Sequence, residues 1–147
     1  MGCFRFAFRG ILRTVQNERN MRIHLAFSFY VILAGLICPI EAWQWCALLG
    51  CIAVVTALEC VNTAIEAVCD EVSREYSRNI EIAKDAAAGA VLGAAIISAV
   101  IGGIIFFNST CIGAAINFAK EYPLGAAAIV LTVPLWIKFI LMRRAKK

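Results

Sequence analysis

Four long apolar runs dominate the sequence, and they restrict the possible folds more strongly than any other feature. The runs extend over residues 25–40, 42–58, 86–107 and 124–142. A helix needs about 20 predominantly apolar residues to cross the hydrocarbon core of a bilayer. The hydrophobic content of 62% also exceeds the roughly half that is usual in soluble domains. We therefore predict an all-α integral membrane protein.

Residues 4–22, before the first run, have the pattern of a helix that lies at the membrane surface. Apolar residues recur there at spacings of three and four, and arginines repeat every four residues on another face: Phe4, Phe8, Ile11, Leu12 and Val15, against Arg5, Arg9 and Arg13. An apolar stripe beside a basic stripe is typical of interfacial helices. A plain membrane anchor and a role in guiding substrate both fit this pattern.

The order of these segments predicts one membrane domain followed by an extension. Residues 1–107 are expected to hold the surface helix and three core spans at about 23–40, 42–70 and 80–107. Residues 108–147 are expected to form a weakly polar connector, a fourth span at about 124–142 and a basic tail. The third span contains Gly89-x-x-x-Gly93, a spacing of small residues that allows another helix to approach closely.

An acidic stripe at the end of the second run indicates a functional site. At about 100° per residue, one helical arc of roughly 100° collects five polar side chains. They are Glu59, Asn62, Thr63, Glu66 and Asp70. A charged side chain at the centre of a membrane helix costs roughly 2.5–3.5 kcal/mol on insertion scales, so such residues are usually functional.

The distribution of Lys and Arg predicts the topology. Five lie in the N-terminal segment, three between the second and third spans and four in the tail, whereas the turn after the first span has none and the connector only Lys120. The positive-inside rule then places both termini in the cytoplasm. The acidic stripe and Glu18 are expected at the same cytoplasmic interface.

These residue types favour phosphoryl transfer. Mg²⁺ is commonly held by one or two carboxylates together with substrate phosphates, and Glu18 and Glu66 are candidates. Lys84 suits a phosphate, and Glu59 is a candidate base that takes a proton from a hydroxyl. The sequence has neither a P-loop nor a Gly-rich kinase motif, and its cysteines and single histidine form no zinc set. A small transporter, whose intramembrane carboxylates carry ions or protons, is the rival class, and a structural membrane protein is a third.

Two longer motifs resemble those of a known family, the prokaryotic diacylglycerol kinases and undecaprenol kinases. One is Glu59-x-x-Asn62-Thr63-Ala64-Ile65-Glu66-Ala67-x-x-Asp70, and the other is Ala83-Lys84-Asp85-x-Ala87-Ala88-Gly89-Ala90-Val91-Leu92. The upstream run from Glu18 to His24 and the surface helix are similar as well. The resemblance covers about residues 4–107.

The resemblance implies a surface helix and three transmembrane helices per protomer, in a homotrimer of the bacterial inner membrane. It also implies an active site at the cytoplasmic interface, with ATP and Mg²⁺ bound between protomers. It implies that Glu59 is the catalytic base and contacts the lipid alcohol, and that Glu18 and Glu66 bind the metal. Nucleotide contacts are implied for Glu75, Tyr76, Ser77, Lys84, Asp85 and Phe6, and substrate contacts for Asn62, Arg9 and Arg22. The segment that contains Phe6, Arg9 and Arg22 would line the lipid entrance.

The chain departs from the family pattern in its fourth run and in Glu81, which stands where a basic or neutral residue is expected. The run from Glu18 to His24 is more similar to undecaprenol kinases of Gram-positive bacteria than to diacylglycerol kinases. The expected reaction is therefore undecaprenol to undecaprenyl phosphate, with diacylglycerol to phosphatidic acid as the alternative. No nucleic-acid partner is expected.

Overall fold

A computed structural model describes residues 2–72 and 77–142, with side chains from residue 4 onward. Throughout these ranges the secondary structure is helical, as predicted. The helices are α1 (Gly2–Asn17), α2 (Arg19–Ile37), α3 (Ala42–Val72), α4 (Arg78–Phe106), α5 (Ser109–Glu121) and α6 (Pro123–Ile140). Within the described ranges, α2, α3, α4 and α6 are long and apolar enough to cross a membrane. The prediction of four spans is confirmed at this level of length and composition.

The junction between α1 and α2 lies inside the range predicted for the surface helix. Glu18 is in an extended conformation, with φ −102° and ψ 121°, and separates the two helices. Its amide still donates to Thr14 O at 2.8 Å, so the two helices follow each other without a loop. The first spanning helix therefore begins at Arg19, earlier than residue 23.

The longest helices, α3 and α4, form the most extensive packing pair. The predicted second span and the acidic stripe are one uninterrupted helix, because α3 continues from Ala42 to Val72. Helix α2 packs on α3 as well, and Gly35 makes a close approach possible there. A Cβ atom at Gly35 would lie 2.7 Å from Cη2 of the Trp45 indole, so only glycine fits without a shift.

The predicted connector after the third span contains a helix, α5. The side chain of Asn108 caps it by accepting a hydrogen bond from the amide of Cys111 at 2.9 Å. Proline at position 123 begins α6, where its missing N–H has no helical partner to lose. The connector is therefore ordered by ordinary capping interactions.

Helix α6 runs antiparallel to α2. Near the middle of both helices, the hydroxyl groups of Tyr30 and Thr132 are 2.9 Å apart, and the rings of Phe29 and Trp136 are 5.4 Å apart. The end of α6 lies near the start of α2, where Arg22 donates to Ile140 O. The fourth span is thus packed along the first one.

Large apolar side chains cover the outside of the bundle. Exposed fractions reach 62% for Leu92, 74% for Ile104 and 68% for Leu131. Within α6, all of which is described, no residue is buried. Such a surface is expected of helices that face lipid, and together with the four candidate spans it indicates a multi-pass membrane protein.

Candidate active site

The predicted site residues gather at the end of the bundle where α1 and α3 end and α2 and α4 begin. Glu59 on α3 is its most buried carboxylate, with 1% of its surface exposed. Its Oε2 atom makes no hydrogen bond to any described residue. A buried polar group without a partner costs about 1–3 kcal/mol, so this atom is a candidate acceptor for a ligand.

Glu18 and Glu66 both lie within Coulombic reach of Glu59. Glu18 comes from the junction of α1 and α2, and Glu66 follows Glu59 by nearly two turns of α3. Both side chains are half-buried. The structure therefore brings together the three carboxylates that the sequence singled out, from two separate segments of the chain.

Asn62 lies between these carboxylates and orients one of them. It is 7% exposed, and its Nδ2 donates to Glu66 Oε1 at 3.0 Å. The other end of the amide, Oδ1, has no hydrogen-bond partner among the described residues. Thr63 is the hydroxyl residue of the stripe. Its Oγ1 donates to the backbone carbonyl of Glu59 at 2.9 Å, a hydrogen bond within α3.

Lys84 on α4 reaches back to α3. Its Nζ atom is 2.5 Å from Asp70 Oδ1, and both side chains are substantially exposed. Glu66 also lies within Coulombic reach of Lys84. Asp70 was expected as part of the acidic stripe, but its pairing with Lys84 was not predicted, because it depends on how α4 packs against α3.

The other residues assigned to the nucleotide are more scattered. Asp85 is exposed on α4, beside Lys84 in the chain. Ser77 is half-buried and precedes α4, and its carbonyl accepts from the amides of Ile80 and Glu81. Glu75 and Tyr76 lie outside the described residues.

The residues assigned to the lipid entrance separate into two groups. Phe6 and Arg9 are exposed on α1, with the Arg9 guanidinium 5.6 Å from the centre of the Phe6 ring. Arg22, by contrast, is 2% exposed and donates hydrogen bonds to backbone carbonyls of α1 and at the end of α6. Sequence reasoning missed the bonds to Ile140 and Met142, because these acceptors lie 118 and 120 residues away in the chain.

The donor chemistry of the site suits a hard cation. Among the described residues no group of three His, Cys, Asp or Glu side chains is placed to hold a metal by itself. Carboxylate and amide oxygens are nevertheless the ligands that Mg²⁺ prefers, and two carboxylates suffice where phosphates supply further oxygens. The orphaned Glu59 Oε2 and Asn62 Oδ1 also point to a missing polar ligand.

Comparison with known proteins identifies a family and two relatives. The model of a family described as prokaryotic diacylglycerol kinase matches residues 5–106. An undecaprenol kinase from Bacillus subtilis is 38% identical over 82 residues, which are 56% of this chain and 67% of that protein. A diacylglycerol kinase from Synechocystis is 40% identical over 83 residues, 56% of this chain and 47% of that protein. The region matched by the family model runs from residue 5, within α1, to the end of α4, and helices α5 and α6 lie beyond it.

Proposed function

The chain belongs to the prokaryotic diacylglycerol kinase family, and we propose that it transfers the γ-phosphoryl group of ATP to the primary alcohol of a membrane lipid. One observation carries the proposal: the buried Glu59 lies within reach of two further carboxylates, Glu18 and Glu66, at the end of a membrane bundle. A water-soluble nucleotide and a lipid headgroup meet only at such an interface. The family is one of kinases, so the reaction class follows from membership.

Glu59 is the proposed base. Its Oε2 atom is available to accept a hydrogen bond from the lipid hydroxyl, because no described residue occupies it. In the reaction the carboxylate takes the hydroxyl proton while the alcohol oxygen bonds to the γ-phosphorus and the bond to ADP breaks. General base catalysis of this kind contributes about 10²–10⁴-fold to a rate.

Glu18 and Glu66 are the proposed carboxylates for Mg²⁺. When bound, the ion would offset the negative charge of the transferred phosphoryl group. Asn62 supports the arrangement, since its hydrogen bond to Glu66 Oε1 fixes the direction of that carboxylate. Its own Oδ1 faces no described partner and is available to the substrate or to a metal-bound water.

Lys84 is the proposed phosphate contact. The ion pair with Asp70 holds the ammonium group beside the carboxylates, and both residues remain exposed enough for a nucleotide to reach them. Asp85, Ser77 and the segment with Glu75 and Tyr76 extend the proposed nucleotide contacts around the loop between α3 and α4. Positioning and charge neutralisation provide most of the catalysis in phosphoryl transfer, so a site without a phosphate-binding loop is chemically sufficient.

Undecaprenol is the proposed lipid, and diacylglycerol is the alternative. The similarity of residues 18–24 to undecaprenol kinases and the similarity to the Bacillus subtilis protein support undecaprenol. The similarity to the Synechocystis protein supports diacylglycerol. Phe6 and Arg9, exposed side by side on α1, are proposed to contact the lipid headgroup or the nucleotide at the entrance.

The proposed setting is a homotrimer in the inner membrane, with the site at the cytoplasmic surface. Exposed apolar faces on α3 and α4 support contacts with neighbouring copies or with lipid. No described atom lies within 4 Å of the place where a Cβ at Gly89 or Gly93 would stand, so this face of α4 is open. Its small residues would let a helix of another copy approach closely, which supports helix association.

Purified protein incubated with labelled ATP, Mg²⁺ and a lipid panel tests the proposal. We expect label in undecaprenyl phosphate, with less or none in phosphatidic acid. Label mainly in phosphatidic acid would replace the proposed lipid by the alternative. Ion flux into liposomes without ATP, together with no labelled lipid, would favour the transporter class and overturn the proposal.

A further inference from the structure

Arg22 links the ends of two helices that are far apart in sequence. Its Nη1 donates to the carbonyls of Val15 and Gln16 in α1, at 3.1 and 2.9 Å. Its Nη2 donates to the carbonyls of Ile140 and Met142, at the end of α6, at 3.4 and 3.1 Å. We call these four hydrogen bonds the Arg22 clasp.

The chemistry of helix ends explains why an arginine stands here. The last four carbonyls of a helix lack partners within the helix and carry partial negative charge. One planar guanidinium offers five donors in a fixed fork, so it can bind two helix ends at once, which a lysine ammonium does not do with the same geometry. With 2% of Arg22 exposed, backbone carbonyls replace water at Nη1 and Nη2, while Nε makes no hydrogen bond to any described residue.

The clasp reinforces contacts that already hold α6 against α2. The Tyr30 and Thr132 hydroxyls and the Phe29 and Trp136 rings meet along the same pair of helices. Helix α6 thus contacts α2 from its middle to its end. It lies outside residues 5–106, so these contacts come from a part of the chain that the family model does not match.

The clasp acts on the backbone that carries Glu18. Glu18 separates the two helices, between the acceptors at Val15 and Gln16 and the donor at Arg22. The amide of Arg22 also donates to Glu18 O, at 3.4 Å. Holding both sides of the junction restricts where the Glu18 carboxylate can lie relative to Glu59.

We infer that Arg22 is a positioning residue through which the C-terminal helix α6 fixes Glu18 in the active site. This inference replaces the lipid contact expected for Arg22 from the sequence. It rests on the proposed function only for the task of Glu18 as a metal-binding carboxylate. The extension is then part of the catalytic scaffold and is not an independent anchor.

Two variants of the full chain test the inference, each with a matched control. Arg22→Lys keeps the charge and removes the fork, and Arg19→Lys makes the same change at an exposed position of the same helix turn. Trp136→Leu removes the ring that meets Phe29, and Leu135→Ala shortens an exposed neighbour on α6.

Amide hydrogen exchange in detergent gives a readout that needs no activity. Both test variants should exchange faster at residues 14–22 than the wild-type protein, while α3 and α4 keep their protection and the controls remain unchanged. Unchanged exchange at residues 14–22 in the folded variants would overturn the inference, and so would a uniform loss of protection across all helices. If Arg22→Lys does not fold, Trp136→Leu decides the question.

The Mg²⁺ dependence of lipid phosphorylation tests the link to Glu18. The half-saturating Mg²⁺ concentration should rise about tenfold in both test variants, near the lower end of the effect of outer-shell partners on metal affinity, while kcat at saturating Mg²⁺ changes little. Faster exchange with an unchanged Mg²⁺ requirement would overturn the link to Glu18. A wild-type protein without kinase activity would refute the proposed function, and the exchange result would still decide whether the clasp holds the junction.

Discussion

Glu59 combines two properties that a residue selected only for stability would not have. It is almost completely buried, and one of its carboxylate oxygens has no hydrogen-bond partner among the described residues. Its carboxylate neighbours, Glu18 and Glu66, also repel its negative charge. Each of these features lowers stability, so their coincidence at one position favours a role in binding or catalysis.

Replacing Glu59 by glutamine should separate activity from folding. We expect Glu59→Gln to lower the rate of lipid phosphorylation by at least about 10²-fold, because the amide cannot accept the hydroxyl proton. The melting temperature in detergent should remain or rise, since a neutral group replaces a charge beside two carboxylates. Labelled-ATP transfer and circular dichroism melting measure the two effects.

Glu121→Gln is the matched control for this substitution, because Glu121 is an exposed carboxylate at the end of α5. Its activity should equal that of the wild-type protein. A Glu59→Gln protein that phosphorylates lipid at the full rate would remove Glu59 from the role of base.

Glu66 should affect the metal requirement and leave the chemical step less changed. Glu66→Gln removes the charge that the proposed Mg²⁺ would meet, and it also alters the hydrogen bond from Asn62. The half-saturating Mg²⁺ concentration should therefore rise by about tenfold or more, in line with the loss of a hard oxygen ligand. A titration of initial rates with Mg²⁺ at saturating ATP measures this, and an unchanged titration curve would contradict the assignment.

At the scale of helices, the sequence predicted the spans well because the membrane imposes their length and polarity. The third span was expected at about 80–107, and α4 is Arg78–Phe106. Helix α5 was not predicted, since the run from Asn108 to Pro123 is neither strongly apolar nor clearly amphipathic. The signals that define it, an Asn cap and a Pro at the start of the next helix, are local and were visible in the sequence.

For the site residues too, local periodicity was predictable from the sequence, and packing between distant helices was not. Glu59, Glu66 and Asn62 share one helix face, which helical periodicity alone predicts. The sequence placed Glu18 just before the first span, at the interface expected for the stripe, and in the structure it lies within Coulombic reach of Glu59. The bonds from Arg22 to Ile140 and Met142 were beyond prediction from a single sequence, because they depend on how α6 packs against α2.

The contact between α2 and α3 at Gly35 gives a prediction about stability. Gly35→Ala places a methyl group against the Trp45 indole, where the Cβ would be 2.7 Å from the nearest ring atom. Overpacking of this kind costs about 1–3 kcal/mol, and the better helix propensity of alanine recovers up to about 1 kcal/mol of it. The melting temperature in detergent should therefore fall.

Gly50→Ala serves as the control, because a Cβ at Gly50 would meet no described atom within 4 Å. This variant should be as stable as the wild-type protein or slightly more stable. Equal melting temperatures for Gly35→Ala and Gly50→Ala would show that the α2–α3 contact is looser than the structure indicates.

At the scale of the whole molecule, one end of the bundle holds nearly all the chemistry. The carboxylates, Lys84 and the Arg22 clasp lie there, whereas the other end carries the capped turn at Glu41 and the contact between Cys38 and Cys111. Basic residues are concentrated in the segments of the first end. The positive-inside rule places this end of the bundle at the cytoplasmic surface, which is also the side that supplies ATP.

This asymmetry predicts that both ends of the chain face the cytoplasm. The hydrogen bond from Arg22 to Met142 O already places residue 142 at the end of the bundle where α1 meets α2. Cleavable epitope tags at the N- and C-termini should be protected from protease in right-side-out vesicles and cut in inside-out vesicles. A tag inserted in the turn at residues 38–41 should show the opposite pattern. Terminal tags cut on opposite sides would contradict an even number of spans, and both cut in right-side-out vesicles would place the site outside the compartment that supplies ATP.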